Sequence, residues 1–156
     1  MKKILKIVLI FILATFITIQ FFQPEKNSGE ISENHILKKE QIPENIRSVL
    51  ENSCLDCHSN QTKYLWYHNI APVSWMVNKH VVAGKSELNF SDWGELDIFG
   101  KIATLEDICK EVERNEMPLK EYVLLHKKAK LTDDKIAELC EWTEKLGLEI
   151  LVSIEK

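Results

Sequence analysis

Cys54-Leu55-Asp56-Cys57-His58 is the stretch around which the chain is organised. Its pattern, C-x-x-C-H, is typical of a c-type haem attachment site. Residues i and i+3 share a face on one helical turn, so both thiols can reach the two vinyl groups of one porphyrin. The histidine follows directly, and a neutral imidazole is a good iron ligand. The pentapeptide therefore predicts one covalently attached haem c, with Cys54 and Cys57 as thioethers and His58 as the proximal ligand.

Two other kinds of site use the same cysteine spacing. A structural zinc site usually takes a second Cys/His pair at similar spacing, and the sequence has none. A thioredoxin-like redox pair lies near a βαβ pattern, and no alternating strand pattern is present. Haem attachment is therefore the preferred interpretation.

Met117 is the predicted sixth ligand of the iron. It lies far enough beyond His58 for the chain to pass around the haem edge and return on the opposite face. The residue before a proline is pushed out of helical geometry, so Met117, before Pro118, is expected on extended backbone with its side chain free to point inward. Packing against the porphyrin is the alternative role of Met117. His80 and His126 are the alternative ligands, or donors to a haem propionate.

The first 22 residues, MKKILKIVLIFILATFITIQFF, combine a basic start with an apolar run. A cleaved signal peptide is one interpretation, but no A-x-A-like site follows. We therefore expect residues 1–22 to form an uncleaved membrane anchor. The lysines at its start place the N-terminus in the cytoplasm and the rest of the chain outside. The prediction is a single-pass protein of the cytoplasmic membrane whose haem domain lies in the periplasm.

Beyond this segment the chain divides into a polar stretch and one domain. Residues 23–42 are predicted to be a linker with little structure of its own, in which His35 is solvated. Residues 43–150 are the predicted haem-binding domain.

The net charge is −4, and residues 1–26 carry four lysines against one glutamate, which leaves −7 for the remainder. Such an acidic body argues against nucleic acid as a partner.

Helical periodicity and capping patterns recur through the domain, and alternating strand patterns do not, so the predicted fold class is all-α. The expected helix starts are Pro43, Pro72, Thr104 and Thr132, and two of the expected ends are Gly84 and Gly147.

The rings of Tyr64, Trp66, Tyr67 and Trp75 either wall the porphyrin or form an ordinary aromatic core. Cys109 and Cys140 either form a disulfide or remain two buried thiols.

These features resemble a known family, the small haem-binding domain of exported bacterial proteins, which is related to class I cytochromes c. The resemblance covers about residues 45–147, and its most specific part runs from Tyr64 to Trp93. Two positions depart from the family pattern: Leu65 stands where proline is common, and Met76 where a second tryptophan is common. The resemblance implies haem c and a helical, cytochrome c-like fold. The matching positions are the pentapeptide, Asn60, Thr62, Tyr64, Trp66, Tyr67, Ile70 to Trp75, His80, Val81, Gly84, Leu88 to Ser91, Trp93, Met117, Pro118, Tyr122, His126, Ala129, Leu131 and Trp142.

The leading functional hypothesis is a membrane-tethered carrier of single electrons on the outer side of the cytoplasmic membrane. Ligation by histidine and methionine leaves no open iron position and raises the reduction potential, which suits electron transfer to redox protein partners. The chain is therefore not expected to be an enzyme. The alternative is a haem-dependent peroxidase or gas-sensing module with an open iron position, in which His80 or His126 serves as distal acid or base. A structural haem module of a larger complex is the third hypothesis.

Overall fold

The computed structural model describes residues 1–153, and this part of the chain is built from helices. The α-helices are α1 (Lys2–Ile19), α2 (Ile36–Lys39), α3 (Glu44–Ser53), α4 (Val73–Glu87), α5 (Ile98–Glu113), α6 (Lys120–Leu125) and α7 (Asp133–Val152). Short 3-10 helices span Trp66–Asn69, Phe90–Glu95 and Lys127–Ala129. Within the described residues, β-type pairing is limited to one isolated bridge between Ser28 and Gln61. The predicted all-α class is confirmed for this part of the chain.

Helix α1 is too short and too charged to serve as the predicted membrane span. Its 18 residues include Lys2, Lys3 and Lys6. The uncharged part, residues 7–19, is about 20 Å long, whereas the hydrocarbon core of a bilayer is about 30 Å thick. From residue 1 to residue 153, the chain has no helix that combines the length and the apolar character needed to cross a membrane. The predicted membrane helix in residues 1–22 is therefore wrong, and so is the single-pass membrane localisation that depended on it.

The segment 23–42 packs against the rest of the chain and has structure of its own. Ile36 is fully buried in the core, and the Trp93 indole N–H donates to the Glu40 carboxylate at 2.7 Å. His35 is 2% exposed, so its expected solvation is wrong. Its Nδ1 accepts a hydrogen bond from the main-chain N–H of Leu37 at 3.1 Å and thereby caps α2.

The core lies between α3, α5 and α7, and α5 packs most extensively on α7. Cys109 of α5 and Cys140 of α7 form a disulfide, with their Cα atoms 5.0 Å apart. The bridge is the outcome that the sequence had left open. The buried apolar residues of this core are Ile36, Ile46, Val49, Leu50, Phe90, Trp93, Leu105, Val112, Leu139, Trp142 and Leu146.

Three predicted helix starts are confirmed and three other boundaries are wrong. The caps of α3, α4 and α7 are the expected Pro43, Pro72 and Thr132. Helix α5 begins at Ile98, well before Thr104, because the Asp97 carboxylate caps it by accepting a main-chain N–H. The expected ends, Gly84 and Gly147, lie inside α4 and α7.

Candidate functional site

The pentapeptide forms a single tight turn at the end of α3. Cys54 is the C-terminal cap of that helix, and its carbonyl accepts hydrogen bonds from the N–H groups of Cys57 and His58, at 3.1 and 3.0 Å. Both thiols are free and half-buried. Burial raises the pKa of Cys54 to about 12 and that of Cys57 to about 11, so both groups are neutral thiols at neutral pH. The geometry is that of the helical turn expected from the sequence.

The His58 ring is held in the orientation that a metal ligand needs. Its Nδ1 lies 3.1 Å from the carbonyl oxygen of Leu88. A carbonyl can only accept, so Nδ1 carries the proton and Nε2 keeps a free lone pair. Metal-binding histidines commonly donate their second ring N–H to a backbone carbonyl in this way. Burial lowers the pKa of His58, which keeps the imidazole in its neutral, ligating form.

Two neighbouring cavities adjoin the pentapeptide. The larger, of about 550 Å³, is lined by Cys54, His58, Glu87, Leu88, Phe90, Thr104, Asp107, Ile108, Glu111, Val112 and Met117. The smaller, of about 200 Å³, is lined by Ser53, Cys57, His58, His80, Ala83, Gly84, Glu87, Met117, Pro118, Leu119 and Tyr122. His58 and Met117 line both cavities, and each cysteine lines one of them. The four residues predicted to hold the haem therefore line two neighbouring cavities that share His58 and Met117.

The residues of this region fit a haem. The larger cavity has the size of an ordinary cofactor pocket, and four of its wall residues are the apolar Leu88, Phe90, Ile108 and Val112. Gly84 brings the backbone of α4 directly against the pentapeptide, because a Cβ at this position would lie 2.8 Å from the carbonyl oxygen of Cys57. The neutral imidazole and the thioether of Met117 are both good iron ligands.

The charged side chains that line the larger cavity are carboxylates. They are Glu87, Asp107 and Glu111, and no lysine or arginine accompanies them among the described lining residues. Asp107 is paired with Lys110 at 3.2 Å, and Glu111 with Arg114 at 4.0 Å. The side chains of Asp107 and Glu111 are also open to solvent, so their charges act only weakly on the cavity.

The four aromatic residues that the sequence suggested as porphyrin walls lie away from both cavities. The side chain of Trp66 is 76% exposed, and the Trp75 indole N–H donates to the main-chain oxygen of Phe22 at 2.6 Å. Tyr64 and Tyr67 pack against His68 instead. The rings that line the cavities are Phe90 and Tyr122. Both residues are positions at which the chain resembles the family, but no local sequence pattern indicates that either ring lines a cavity.

The two alternative histidine ligands occupy different places. His80 lines the smaller cavity beside Met117. His126 lines neither cavity and stacks on Tyr122, with ring centroids 4.0 Å apart. Its Nδ1 donates to the Tyr122 carbonyl at 2.9 Å, so its Nε2 accepts from the Tyr67 hydroxyl at 3.2 Å. Of these two histidines, only His80 lines a cavity that Met117 also lines.

Polar residues from distant parts of the chain hold the pentapeptide in place. Asn27 donates to the carbonyl of Ser59 at 2.8 Å and to the hydroxyl of Thr62 at 2.9 Å. The Thr62 hydroxyl in turn donates to the main-chain oxygen of Asp56 at 2.6 Å. Ser91 accepts from the Asn60 N–H at 2.9 Å. Sequence reasoning missed these supports, because their partners become visible only when the chain is folded.

Residues 14–145 match the family described as the haem-binding domain. The match covers most of the chain and includes the pentapeptide, Met117 and every residue that lines the two cavities. The chain belongs to the haem-binding domain family, and its cofactor is haem. No curated protein and no solved structure matches it.

Proposed function

We propose that this protein is a c-type cytochrome that carries single electrons between redox protein partners. One haem would be joined through thioethers to Cys54 and Cys57, with His58 as proximal and Met117 as distal iron ligand. The observation that carries the proposal is that His58 and Met117 line the same two cavities, each of which is also lined by one free thiol. The haem supplies the one-electron couple.

The chain's own residues then have separate tasks. The Leu88 carbonyl orients His58 and holds its proton on Nδ1. Met117 would supply the second protein ligand to the haem iron and so keep water and substrates from it. Of the carboxylates that line the larger cavity, Glu87 would lower the potential most. Asp107 and Glu111 would contribute less, because each is paired with a cation.

Covalent attachment is tested by the pyridine haemochrome spectrum and by extraction of the haem with acidified acetone. The purified protein should show a c-type spectrum and keep its haem through extraction, because thioether bonds survive the acid. The Cys54→Ala/Cys57→Ala double variant should lose all extraction-resistant haem. The matched control is Cys109→Ala/Cys140→Ala, which also removes two cysteines and should keep the haem. If Cys54→Ala/Cys57→Ala still held haem after extraction with acidified acetone, the haem would be attached to other residues.

The distal ligand is tested with Met117→Ala. The variant should lose the sulfur-to-iron charge-transfer band of the oxidised protein, have a lower potential and bind carbon monoxide when reduced, because the sixth position is then open. Met117→His should restore a low-spin iron at lower potential. Met76→Ala is the control, since Met76 lines neither cavity. An unchanged spectrum in Met117→Ala would remove Met117 from the ligand set.

His80 favours a second candidate function. Its side chain lines the smaller cavity beside Met117, where it could act as a distal acid or base of a peroxidase or gas sensor if methionine did not occupy the iron. The coordination state of the wild-type iron separates the two functions. A six-coordinate, low-spin iron supports electron transfer, whereas a five-coordinate iron that binds carbon monoxide readily supports the second function.

A further inference from the structure

A hydrogen bond from Tyr122 joins the segment that carries Met117 to the pentapeptide. The Tyr122 hydroxyl donates to one carboxylate oxygen of Asp56 at 2.7 Å. Asp56 lies between the two cysteines and is 8% exposed, and its other carboxylate oxygen accepts from the Lys63 N–H at 2.9 Å. A hydrogen bond to a carboxylate is among the stronger ones, and exclusion of water strengthens it further. This hydrogen bond therefore connects α6 to the pentapeptide.

Only a short piece of chain separates Tyr122 from Met117. Pro118 and Leu119 follow Met117, and α6 begins at Lys120. Pro118 has a fixed φ, and the helix has fixed geometry, so few backbone rotations separate the two side chains. Met117 and Tyr122 both line the smaller cavity. The main-chain N–H of Met117 also donates to the Glu111 carbonyl at 3.3 Å. The end of α5 and the Tyr122 ring therefore together limit where Met117 can lie.

The Tyr122 ring is also held from its other side. His126 stacks on it at 4.0 Å between ring centroids, with an angle of 15° between the planes. His126 is itself fixed by its hydrogen bonds to the Tyr122 carbonyl and the Tyr67 hydroxyl. Removing only the Tyr122 hydroxyl would therefore leave the ring stacked. It would break the link to Asp56 and the longer contact of the hydroxyl with the Asn52 carbonyl at 3.3 Å.

We propose that Tyr122 is a positioning residue for the distal ligand. Its hydrogen bond to Asp56 fixes the separation between the Met117 segment and the turn that carries His58. This inference rests on the proposed function, in which His58 and Met117 are the two axial ligands. Without the bond, α6 can shift relative to the pentapeptide, and Met117 leaves the iron more readily.

The test is Tyr122→Phe in the haem-loaded protein. Loss of a hydrogen bond to a buried carboxylate should shift the equilibrium between bound and detached methionine by about tenfold or more towards the detached form. The charge-transfer band of the oxidised protein should weaken, the potential should fall, and carbon monoxide should bind the reduced protein faster. The control is Thr143→Val, which removes a hydroxyl that donates to the Cys140 carbonyl at 2.9 Å, away from both cavities. This control should behave like the wild type in all three measurements.

Asp56 tests the same bond from its other end. Asp56→Asn keeps an acceptor oxygen without the charge, and its effect should lie between those of the wild type and Tyr122→Phe. Asp56→Leu removes the acceptor of both the Tyr122 hydroxyl and the Lys63 N–H, so its effect should be at least as large as that of Tyr122→Phe. In the double variant Asp56→Leu/Tyr122→Phe, the shift should be smaller than the sum of the two single shifts, because both single changes include the loss of the Tyr122–Asp56 bond.

Met117→Ala separates failure of this inference from failure of the proposed function. If Met117→Ala abolishes the band while Tyr122→Phe leaves the band, the potential and carbon monoxide binding unchanged, Met117 is the ligand and the positioning role is wrong. A Tyr122→Phe variant that loses only thermal stability would also overturn the positioning role. If Met117→Ala leaves the band unchanged, the ligand assignment fails, and the positioning role fails with it.

Discussion

Gly84 and Gly147 both lie inside helices, but a methyl group would meet different neighbours at the two positions. At Gly84 a Cβ would lie 2.8 Å from the Cys57 carbonyl oxygen and 3.1 Å from the Cys57 Cβ. At Gly147 the nearest contact would be the Leu105 side chain at 3.9 Å, which is an ordinary van der Waals distance. Only Gly84 is therefore required by the packing of the site.

The two glycines form a matched pair of substitutions. Gly84→Ala should push α4 away from the pentapeptide, lower the yield of haem-containing protein and destabilise the fold by about 1–3 kcal/mol. Gly147→Ala should stabilise α7 by about 0.5–1 kcal/mol, because alanine is the better helix former. Urea denaturation and haem content measure both effects. Equal stability and equal haem content in the two variants would show that the close contact at Gly84 does not matter.

At the scale of elements, the disulfide between α5 and α7 stabilises the wall of the larger cavity. Cys109 lies on the helix that supplies Ile108 and Val112 to that wall. The bridge closes a loop of 31 residues in the unfolded chain. The loop-entropy relation gives a stabilisation of about 3.5 kcal/mol for a loop of this size.

Reduction of this bridge should lower the free energy of unfolding by roughly that amount, as measured by urea denaturation with and without a thiol reductant. The Cys109→Ala/Cys140→Ala variant should be less stable than the oxidised wild type and should not respond to the reductant. A wild-type protein whose urea midpoint is the same under both conditions would contradict the stabilising role.

His35, the N-terminal cap of α2, should make the free energy of unfolding depend on pH. Burial, with smaller contributions from Lys38 and Arg47, lowers the pKa of His35. The unfolded chain therefore takes up a proton near pH 6.5 while the folded chain does not. The stabilisation is fully present above this pH and is lost as the pH falls towards the lowered pKa of the folded state. Protonation of Nδ1 also removes the acceptor that caps α2.

The measurement is the free energy of unfolding of wild type and His35→Asn between about pH 7.5 and pH 5.5. Asparagine keeps a capping oxygen and does not titrate, so its stability should fall less steeply over this interval. Carboxylates and the other histidines contribute equally to both proteins. Parallel profiles would show that His35 does not titrate on unfolding.

At the scale of the whole molecule, the features that the sequence predicted are local ones. The starts of α3 and α7 follow from Pro43 and Thr132, since a proline or a hydroxyl acts on its own helix end. The pentapeptide turn is local in the same sense. The predicted end at Gly84 failed because this glycine is present for a contact with Cys57, a residue of a different element.

The walls of the site could not be predicted for the same reason. Leu88, Val112 and Tyr122 come from three separate parts of the chain, and only the packing of α4, α5 and α6 brings them beside His58. The membrane prediction failed differently. It counted apolar residues in the first helix and gave too little weight to its lysines.

The hydrogen bonds around the pentapeptide also determine when this region can fold during synthesis. Asn27 precedes the two thiols in the chain, but Ser91 and Tyr122 follow them at sequence separations of 31 from Asn60 and 66 from Asp56. Because a chain is made from its N-terminus, the turn lacks its later partners until most of the domain has emerged. In the nascent chain Cys54 and Cys57 are therefore open to reaction, and completion of the fold is the event that encloses them.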